Sequence, residues 1–357
     1  MKRDLDNIRK SMADLLDNDL KYFATNLKVL YPKFNGTRLL LTGGTGFFGK
    51  WLLESLLFAN QDDKFHIEIF LLSRDPETFK VQYPRLGSHP AITFLKGDVT
   101  DFELPDIKVD YIIHAATEAS AKLNHEQPMA MVDSIISGTR NVLEFARHTN
   151  VKRMLYVSSG AVYGIQPDGL PGFPEDFHGG PNPLLPSSAY AEAKRTAELL
   201  CACYSKLYGI EIPVARCFAF VGPYLALDTH FAIGNFIRDG LRGENIVIKG
   251  DGKPLRSYMY ASDLVIWLLH ILILGKSTSA YNVGSDEAVS ISELAGKVAS
   301  FFPGLKVEIL NQVNPTDRNQ NYVPDVSKFK REFNVKGNIG LEEAISKTIS
   351  YYRGEIR

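Results

Sequence analysis

Short apolar runs alternate with helix-length periodic segments over residues 37–220, and this alternation constrains the fold more than any other feature. The periodic segments lie at 49–59, 128–149 and 189–208. Apolar runs separated by helices predict parallel strands that are buried on both faces. The sequence therefore predicts an α/β fold with a doubly wound parallel sheet. The predicted strands are TRLLLT (37–42), IEIFLLS (67–73), ITFLK (92–96), VDYIIHAA (109–116), RMLYVSS (153–159) and EIPVARCFAF (211–220).

The chain on either side of this region has a different pattern. Residues 1–36 have the periodicity of amphipathic helices and end with Pro32 and Gly36, so they predict an N-terminal helical extension. Residues 37–220 form the predicted sheet domain. Strands and helices mix less regularly over 221–357, which predicts a smaller mixed α/β lobe. The pattern also allows one segment of this lobe to return to the sheet of residues 37–220.

Composition and charge argue against several classes of protein. Forty basic and 41 acidic side chains leave a net charge of −1, so the chain has no bulk attraction to nucleic acid or to an anionic membrane. The longest apolar run, 264–274, is too short to cross a bilayer. The charged N-terminus lacks the apolar core of a signal peptide, and the three cysteines form no paired framework or zinc motif. We therefore expect a cytoplasmic protein without a metal.

The sequence TGGTGFFG joins the first predicted strand to the first predicted helix. Gly43 permits a tight turn, Gly46 allows a close approach to a pyrophosphate, and Gly49 lets the helix pack against the strand. The helix N-terminus, which Phe47 and Phe48 open, adds free N–H groups and a partial positive charge. The spacing is GxxGxxG instead of the common GxGxxG. This stretch predicts a dinucleotide-binding turn.

The end of the second strand bears on which dinucleotide binds. A carboxylate at this place would bind the ribose 2′-hydroxyl of NAD, but the chain has Ser73 followed by Arg74. An arginine can pair with the 2′-phosphate of NADP. NAD remains an alternative, because Asp75 could bind the ribose 2′-hydroxyl after a shift of one residue. The sequence favours NADP over NAD.

Further cofactor contacts are predicted after the third and fourth strands. Asp98, followed by Val99, stands where a carboxylate can receive the adenine amino group. Ala115 and Ala116 are small residues where a cofactor would lie against the fourth strand.

The sequence SAYAEAK places Tyr190 and Lys194 four residues apart, on one face of a predicted helix. A tyrosine with its ordinary pKa near 10 is a poor base at neutral pH, but a nearby ammonium and a cationic nicotinamide favour the phenolate. Ser158 and Ser159 end the fifth strand, at the edge of the sheet where ligands bind. These residues predict a proton-transfer site with a serine hydroxyl to hold the substrate oxygen.

With these motifs, the sequence resembles the NAD(P)-dependent nucleotide-sugar epimerase/dehydratase family of extended short-chain dehydrogenases/reductases. The resemblance covers residues 37–353 and includes GDVTD, SSGAVYG, YAEAK, YNVGS and VPDVSKFKREF. It implies a Rossmann-type doubly wound sheet over 37–220 and a nucleotide-sugar-binding lobe over 221–357. It also implies that Tyr190 is the acid/base, that Lys194 binds the nicotinamide ribose, and that Ser159, three residues before the valine of VYG, binds the substrate.

Departures from the family pattern bear on the reaction. Dehydratases carry an acidic residue or pair directly after the catalytic Ser or Thr, and decarboxylases carry a Glu there, whereas this chain has Gly160 and Ala161. Ala219 and Ile135 replace two asparagines of the family. We therefore expect an epimerase or 4-keto-reductase acting at C4 of a nucleotide-linked hexose. The alternatives are a 4,6-dehydratase or decarboxylase, and a dinucleotide-binding protein without catalysis.

The resemblance also implies substrate contacts and an assembly. Asn235 is expected to position the base, and Arg256 to bind the diphosphate, with Arg318 as a second candidate. Members of the family pair two helices across a two-fold axis, so we expect a homodimer through a four-helix bundle that uses 133–149 and 189–208.

Overall fold

The computed structural model describes residues 16–102, 106–117, 121–229, 231–312, 321–335 and 338–355. The strands of the main sheet are β1 (Thr37–Thr42), β2 (Ile67–Ser73), β3 (Ile92–Lys96), β4 (Tyr111–His114), β5 (Arg153–Ser159), β6 (Val214–Cys217) and, after further elements, β11 (Ala280–Val283). Their order across the sheet is β11-β6-β5-β4-β1-β2-β3. Every neighbouring pair is parallel, which confirms the predicted doubly wound sheet.

Helices cover both faces of this sheet. They are α1 (16–27), α2 (Tyr31–Phe34), α3 (Phe47–Ala59), α4 (Pro76–Gln82), α5 (Pro84–Gly87), α6 (Ala121–Glu126), α7 (Pro128–His148), α8 (Ala189–Tyr208), α9 (Ala232–Arg242), α10 (Ala261–Leu274), α11 (Ile291–Ala299), α12 (Ser327–Phe333) and α13 (Leu341–Glu355). Short 3₁₀ turns lie at Lys28–Leu30, Gly160–Tyr163 and Pro186–Ser188. In the part of the chain described here, no helix is both long enough and apolar enough to cross a bilayer.

Successive residues of β1 show why the strands are apolar along their whole length. Leu39 and Leu41 pack in the core that includes α3 and α10, whereas Leu40 packs in the core that includes α7 and α8. All three side chains are fully buried. Side chains alternate between the two faces of a strand, and helices cover both, so neither face can be polar.

The sixth predicted strand is divided in the structure. Residues 214–217 form β6, and Phe220–Val221 form a separate strand, β7, that pairs with β10 (Met259–Tyr260). Two further short pairs join β8 (Ile246–Ile248) to β13 (Val307–Ile309) and β9 (Leu255–Arg256) to β12 (Val289–Ser290). The chain leaves the main sheet after Cys217, so the residues that follow it enter the neighbouring lobe.

The N-terminal helix α1 is fastened to the later part of the chain by polar contacts. The Tyr22 hydroxyl donates to Asp263 (2.9 Å), and the Tyr260 hydroxyl donates to Asp19 (2.6 Å), which also pairs with Lys347 (2.7 Å). Burial raises the pKa of Asp19, and it raises that of Asp263 to about 6. Residues 1–15 of the predicted extension lie outside the described residues.

Candidate active site

A cleft of about 690 Å³ opens at the carboxyl ends of the parallel strands. This is the edge at which open parallel sheets bind ligands, at the point where β1 separates β2 from β4. Every strand from β1 to β6 contributes a residue at its end or just after it. These residues are Thr42, Gly43, Ser73, Arg74, Asp98, Ala115, Ser159 and Cys217.

The glycine turn forms the floor of the cleft between β1 and β4. Gly43 has φ +74°, and a Cβ atom there would lie 2.6 Å from the backbone of Ala115. At Gly49 a Cβ would lie 2.2 Å from the Cα of Gly44, so only glycine lets the helix approach the turn. Gly46 is the N-cap of α3 and has no side chain to cap the first turn. The exposed N–H groups and the bare backbone fit a dinucleotide pyrophosphate.

Arg74 and Asp98 face each other at the rim of the cleft. The Arg74 Nε lies 3.9 Å from an Asp98 oxygen, and 74% of the Arg74 side chain is exposed. Burial alone would raise the pKa of Asp98, but hydrogen bonds from Thr100 and the guanidinium of Arg74 outweigh it, so the pKa lies below its usual range. Asp75 instead caps α4, because its carboxylate accepts from the Thr78 N–H (3.0 Å).

Lys194 is buried at the other end of the cleft. Its Nζ donates to the Thr117 hydroxyl and to the Val157 carbonyl oxygen, both at 2.8 Å. Burial lowers the pKa of Lys194 to about 8. The amino group is therefore held in a fixed place but titrates close to neutral pH.

Tyr190 lies one helical turn before Lys194, with Ser159 beside it. The Tyr190 N–H donates to the Asn124 side chain (2.9 Å), which fixes the first turn of α8. Burial raises the pKa of the Tyr190 phenol, and a hydrogen bond with Ser159 offsets part of the increase. The structure thus brings together the three residues predicted to carry the chemistry, Ser159, Tyr190 and Lys194.

Aromatic side chains occupy the space beside Gly160. A Cβ at Gly160 would lie 2.7 Å from the Phe218 ring and 2.8 Å from the Tyr322 hydroxyl. The Tyr322 hydroxyl is 3.5 Å from the Ser159 Oγ, and burial raises its pKa, so it stays a neutral phenol. A carboxylate side chain at position 160 would require both rings to move. Among the described residues that line the cleft, Asp98 is the one carboxylate, and it lies at the opposite end.

The remaining predicted site residues fall into three groups. Phe47, Phe48, Val99 and Ala116 line the cleft with the residues already described. Asn235 and Arg256 do not line its described part: the Asn235 side chain accepts from Arg238 (3.0 Å), and Arg256 donates to the Leu255 carbonyl (2.9 Å). Arg318 lies outside the described residues. So does Glu118, which follows HAAT in the sequence and is a further candidate for the acid that Gly160 does not supply.

Four lining residues to which the site's geometry gives a part were not among the predicted site residues: Thr117, Asn124, Phe218 and Tyr322. Thr117 directly follows the HAA motif, so its position after the fourth strand could have predicted that it lies in the cleft. Tyr322 directly precedes the VPD motif, but no spacing relates it to Ser159. Asn124 and Phe218 carry no local signal, because their places depend on how α6 and β6 pack.

Comparison with known proteins identifies relatives over most of the chain. The family described as NAD dependent epimerase/dehydratase family matches residues 39–284. UDP-glucuronic acid decarboxylase 3 of Arabidopsis thaliana is 31% identical over 312 residues, which are 86% of either chain. UDP-glucuronic acid decarboxylase 1 of Xenopus tropicalis is 31% identical over 320 residues, 89% of this chain and 73% of that one. These relatives support the decarboxylase alternative better than the expected epimerase.

Solved structures share the fold at lower identity. UDP-glucose 4-epimerase from Thermotoga maritima superposes with a TM-score of 0.76 at 22% identity, covering 90% of this chain and all of that one (100%). A dTDP-glucose 4,6-dehydratase from Bacillus anthracis in complex with NAD has a TM-score of 0.74 at 22% identity, covering 89% of this chain and 97% of that one. At this identity the likeness establishes the architecture alone.

Proposed function

Because this chain belongs to the NAD-dependent epimerase/dehydratase family, we propose that it transfers the hydrogen at C4 of a nucleotide-linked sugar to or from the nicotinamide of NAD(P). The observation that carries the proposal is the convergence of Ser159, Tyr190 and Lys194 in the same cleft as the glycine turn. A proton acceptor and a cofactor cradle in one cleft serve the oxidation of an alcohol, the step that epimerisation, decarboxylation and dehydration at these sugars share.

Each residue has a distinct task in this step. The Ser159 hydroxyl holds the C4 oxygen, and the Tyr190 phenol takes its proton as the alcohol becomes a ketone. The Lys194 ammonium stabilises the Tyr190 phenolate and donates to the ribose of the cofactor. When bound against Gly43 and Gly46, NAD(P) supplies the nicotinamide that accepts and returns the hydrogen of C4.

Decarboxylation of a nucleotide-linked hexuronate is the first candidate for the overall reaction. The two relatives reported above, from Arabidopsis thaliana and Xenopus tropicalis, are named UDP-glucuronic acid decarboxylases. Once C4 of a hexuronate is a ketone, the C6 carboxylate belongs to a β-keto acid. The C5–C6 bond then breaks, carbon dioxide leaves, and the electron pair forms the C4–C5 enolate, which takes a proton from water at C5. The hydrogen removed from C4 would then return to C4 from the bound cofactor, as Tyr190 returns its proton to the C4 oxygen. This bond cleavage needs no carboxylate at position 160.

Epimerisation or 4-keto reduction at C4 is the second candidate, and the aromatic wall beside Gly160 favours it. Phe218 and Tyr322 occupy the space beside Gly160, where the family pattern implies an acidic side chain in decarboxylases and dehydratases. Dehydration needs an acid to protonate the departing C6 hydroxyl, and the described part of the cleft offers none at this end. Elimination of water is therefore the outcome that the site supports least.

We also propose that NADP is the preferred cofactor. Asp75 is engaged as the N-cap of α4, which leaves Arg74 as the charged side chain next to the ribose position. The guanidinium is exposed at the rim, where a 2′-phosphate can pair with it.

For the substrate, we propose that the lobe of residues 221–357 holds the nucleotide. Arg256 and Arg318 bind its diphosphate, and Asn235 binds its base. Arg256 lies next to the cleft, because it forms a parallel β-bridge with Tyr322, which lines the cleft. Nucleotide binding that is unchanged in Arg256→Ala would contradict it.

The proposed assembly is a homodimer that pairs α7 and α8 with their copies. Leu199 and Leu207 of α8 expose 63% and 69% of their surface, more than a one-sided helix requires. Light scattering at micromolar concentration is expected to give a dimer mass, and Leu199→Glu is expected to give a monomer.

A panel of nucleotide sugars tests the proposed reaction. The protein is incubated with UDP-glucuronate and with UDP-, dTDP-, CDP- and GDP-hexoses, with and without reduced cofactor, and the products are followed by mass. Loss of one carbon dioxide identifies a decarboxylase, and an unchanged mass with a new stereoisomer identifies an epimerase. A gain of two hydrogens identifies a reductase. Loss of one water would contradict the interpretation of Gly160, and no turnover of any sugar would contradict the proposal for this panel.

A further inference from the structure

A carboxylate with two partners lies directly behind the catalytic residues. Glu198 stands on α8, one turn after Lys194. One of its oxygens accepts from the Ser158 hydroxyl at 2.6 Å, and the Arg216 guanidinium contacts both oxygens, at 2.7 and 3.1 Å. Between 15% and 17% of the Glu198 and Arg216 side chains is exposed, so the ion pair is largely shielded from water. The roles proposed for the glycine turn and for Tyr190 and Lys194 do not explain why Glu198, Ser158 and Arg216 are joined in this way.

The two partners of Glu198 come from the strands that border the catalytic end of the cleft. Ser158 precedes Ser159 on β5, and Arg216 precedes Cys217 on β6. Glu198 therefore joins three elements: the helix that carries Tyr190 and Lys194, the strand that carries Ser159, and the neighbouring strand. Charge-assisted hydrogen bonds of this kind are directional, so they resist both a slide and a rotation of the helix.

The groups that face Lys194 differ in their ability to carry charge. From β4 the His114 ring is neutral, because burial and the nearby ammonium lower its pKa to about 3. From β6, α8 and β5, burial raises the pKa of the Cys217 and Cys201 thiols and of the Tyr156 phenol, whose ring lies 5.0 Å from the Lys194 Nζ. Thr117 and the Val157 carbonyl are uncharged, and Tyr190 is a phenol until it takes part in the reaction.

Glu198, which is ion-paired with Arg216, is thus the one carboxylate among these groups, as far as the described residues extend. Burial lowers the pKa of Lys194. Cys217, Glu198 and Cys201 act in the opposite direction, but burial disfavours the thiolate form of both cysteines. Without a negative charge nearby, a buried lysine loses its proton readily.

We propose that Glu198 is a positioning residue that fixes the Tyr190–Lys194 helix against β5 and β6 and keeps Lys194 an ammonium. The inference deepens the proposed function, because an ammonium at Lys194 is what stabilises the Tyr190 phenolate. The two roles of Glu198, anchoring the helix and stabilising the Lys194 ammonium, can be tested separately. Ser158 takes part in the anchoring alone, because its hydroxyl is uncharged.

The test follows the ionisation of Lys194 directly, without any substrate. Protein labelled with ¹³C at lysine Cε and otherwise deuterated is titrated by NMR, and the Lys194 resonance is assigned from its absence in Lys194→Met. In Glu198→Gln the midpoint of the Lys194 titration is expected to fall by about 0.5–1 pH unit. The alkaline limb of the pH–rate profile is expected to move by the same amount on any nucleotide sugar that is turned over.

Three variants separate the parts of the inference. Glu192→Gln removes a half-buried carboxylate, paired with Arg195, from the same helix. Ser158→Ala removes the hydrogen bond to Glu198 but keeps the negative charge. Both variants are expected to leave the Lys194 midpoint in place. Ser158→Ala is expected to lower kcat severalfold with little change in KM. If Glu198→Gln does not fold, Glu198→Gln combined with Arg216→Met leaves no unpaired buried charge, and its midpoint is also expected to fall.

An unchanged Lys194 midpoint in the Glu198 variants would overturn the electrostatic role, and an unchanged kcat in Ser158→Ala would overturn the anchoring role. A shifted midpoint in a protein that turns over no nucleotide sugar would retain the inference about Lys194 and reject the proposed function.

Discussion

The two ends of the cleft are built in different ways. At the cofactor end, the residues stand immediately after successive strands. The contacts that leave no space for a larger side chain are between backbones, as between Gly43 and Ala115. At the substrate end, Phe218 and Tyr322 come from distant parts of the chain and meet through their rings, whose centroids are 4.6 Å apart. The first end depends on backbone geometry, and the second depends on side-chain packing.

This difference explains why one end of the cleft is common to a family while the other can select a reaction. The backbone contacts at Gly43 and Gly49 leave no space for a Cβ atom, so this end of the cleft requires its glycines. At the other end, the Phe218 ring and the Tyr322 hydroxyl fill the space beside Gly160, so the shape of that end depends on which side chains stand there. We therefore expect substitutions at the two ends to affect different measurable quantities.

The largest loss of activity is expected from a substitution of Tyr190, which lies between the cofactor end and the substrate end of the cleft. Tyr190→Phe removes the oxygen that accepts the proton and leaves α8 and Lys194 in place. Turnover is expected to fall by about 10²–10⁴-fold, and the affinity for the cofactor is expected to change by less than a few-fold. Tyr208→Phe, at the exposed end of the same helix, is the control. A Tyr190→Phe variant that keeps half of the activity would exclude Tyr190 as the proton acceptor.

A substitution at the glycine turn tests the cofactor end. Gly43→Ala adds a Cβ 2.6 Å from the Ala115 backbone at φ +74° and is expected to lower the free energy of unfolding by about 3 kcal/mol. Gly209→Ala has a similar φ of +72° with no atom within 4 Å, so it is expected to cost about 1 kcal/mol. Chemical denaturation measures both. Equal losses would mean that the close approach to Ala115 does not constrain the turn.

Arg74→Ala tests which dinucleotide this end accepts. Loss of a charge-assisted hydrogen bond is expected to weaken NADP binding by about 1.5–3 kcal/mol and to leave NAD nearly unchanged, as measured by calorimetry. Arg38→Ala, which removes an exposed arginine paired with Glu68, controls for the loss of one positive charge. Equal losses for the two cofactors, or a wild-type preference for NAD, would show that the interpretation of Ser73 and Arg74 is wrong.

Gly160→Ala tests the substrate end and is expected to have the smallest effect. The added methyl group must displace the rings of Phe218 and Tyr322, which is expected to lower kcat/KM about tenfold while cofactor affinity stays within about twofold. Gly250→Ala, where no atom lies within 4 Å, is the matched control. A parallel loss of cofactor affinity would show that the two ends are coupled.

The same difference separates what the sequence predicted from what it did not. The strands β1 and β2, the helix α8 and the Ser159–Tyr190–Lys194 group follow from local patterns, because hydrophobic period and motif spacing are properties of neighbouring residues. The sequence allowed for a segment of 221–357 that returns to the sheet but did not place it. Strand β11 has four residues, which carry no period of their own and join the sheet through β6. At Gly160 the sequence showed that an acidic residue is missing. It did not show that Phe218 and Tyr322 fill the space, since their packing depends on the whole fold.

The most direct test of the central claim is the fate of the hydrogen atom at C4. The nucleotide sugar that is turned over in the panel is prepared with deuterium at C4, and the nicotinamide is recovered during a single turnover and analysed by mass. The proposed oxidation predicts deuterium on the nicotinamide with the wild-type protein and none with Tyr190→Phe. Product formed by the wild-type protein with no deuterium on the nicotinamide at any time sampled during the turnover would contradict it.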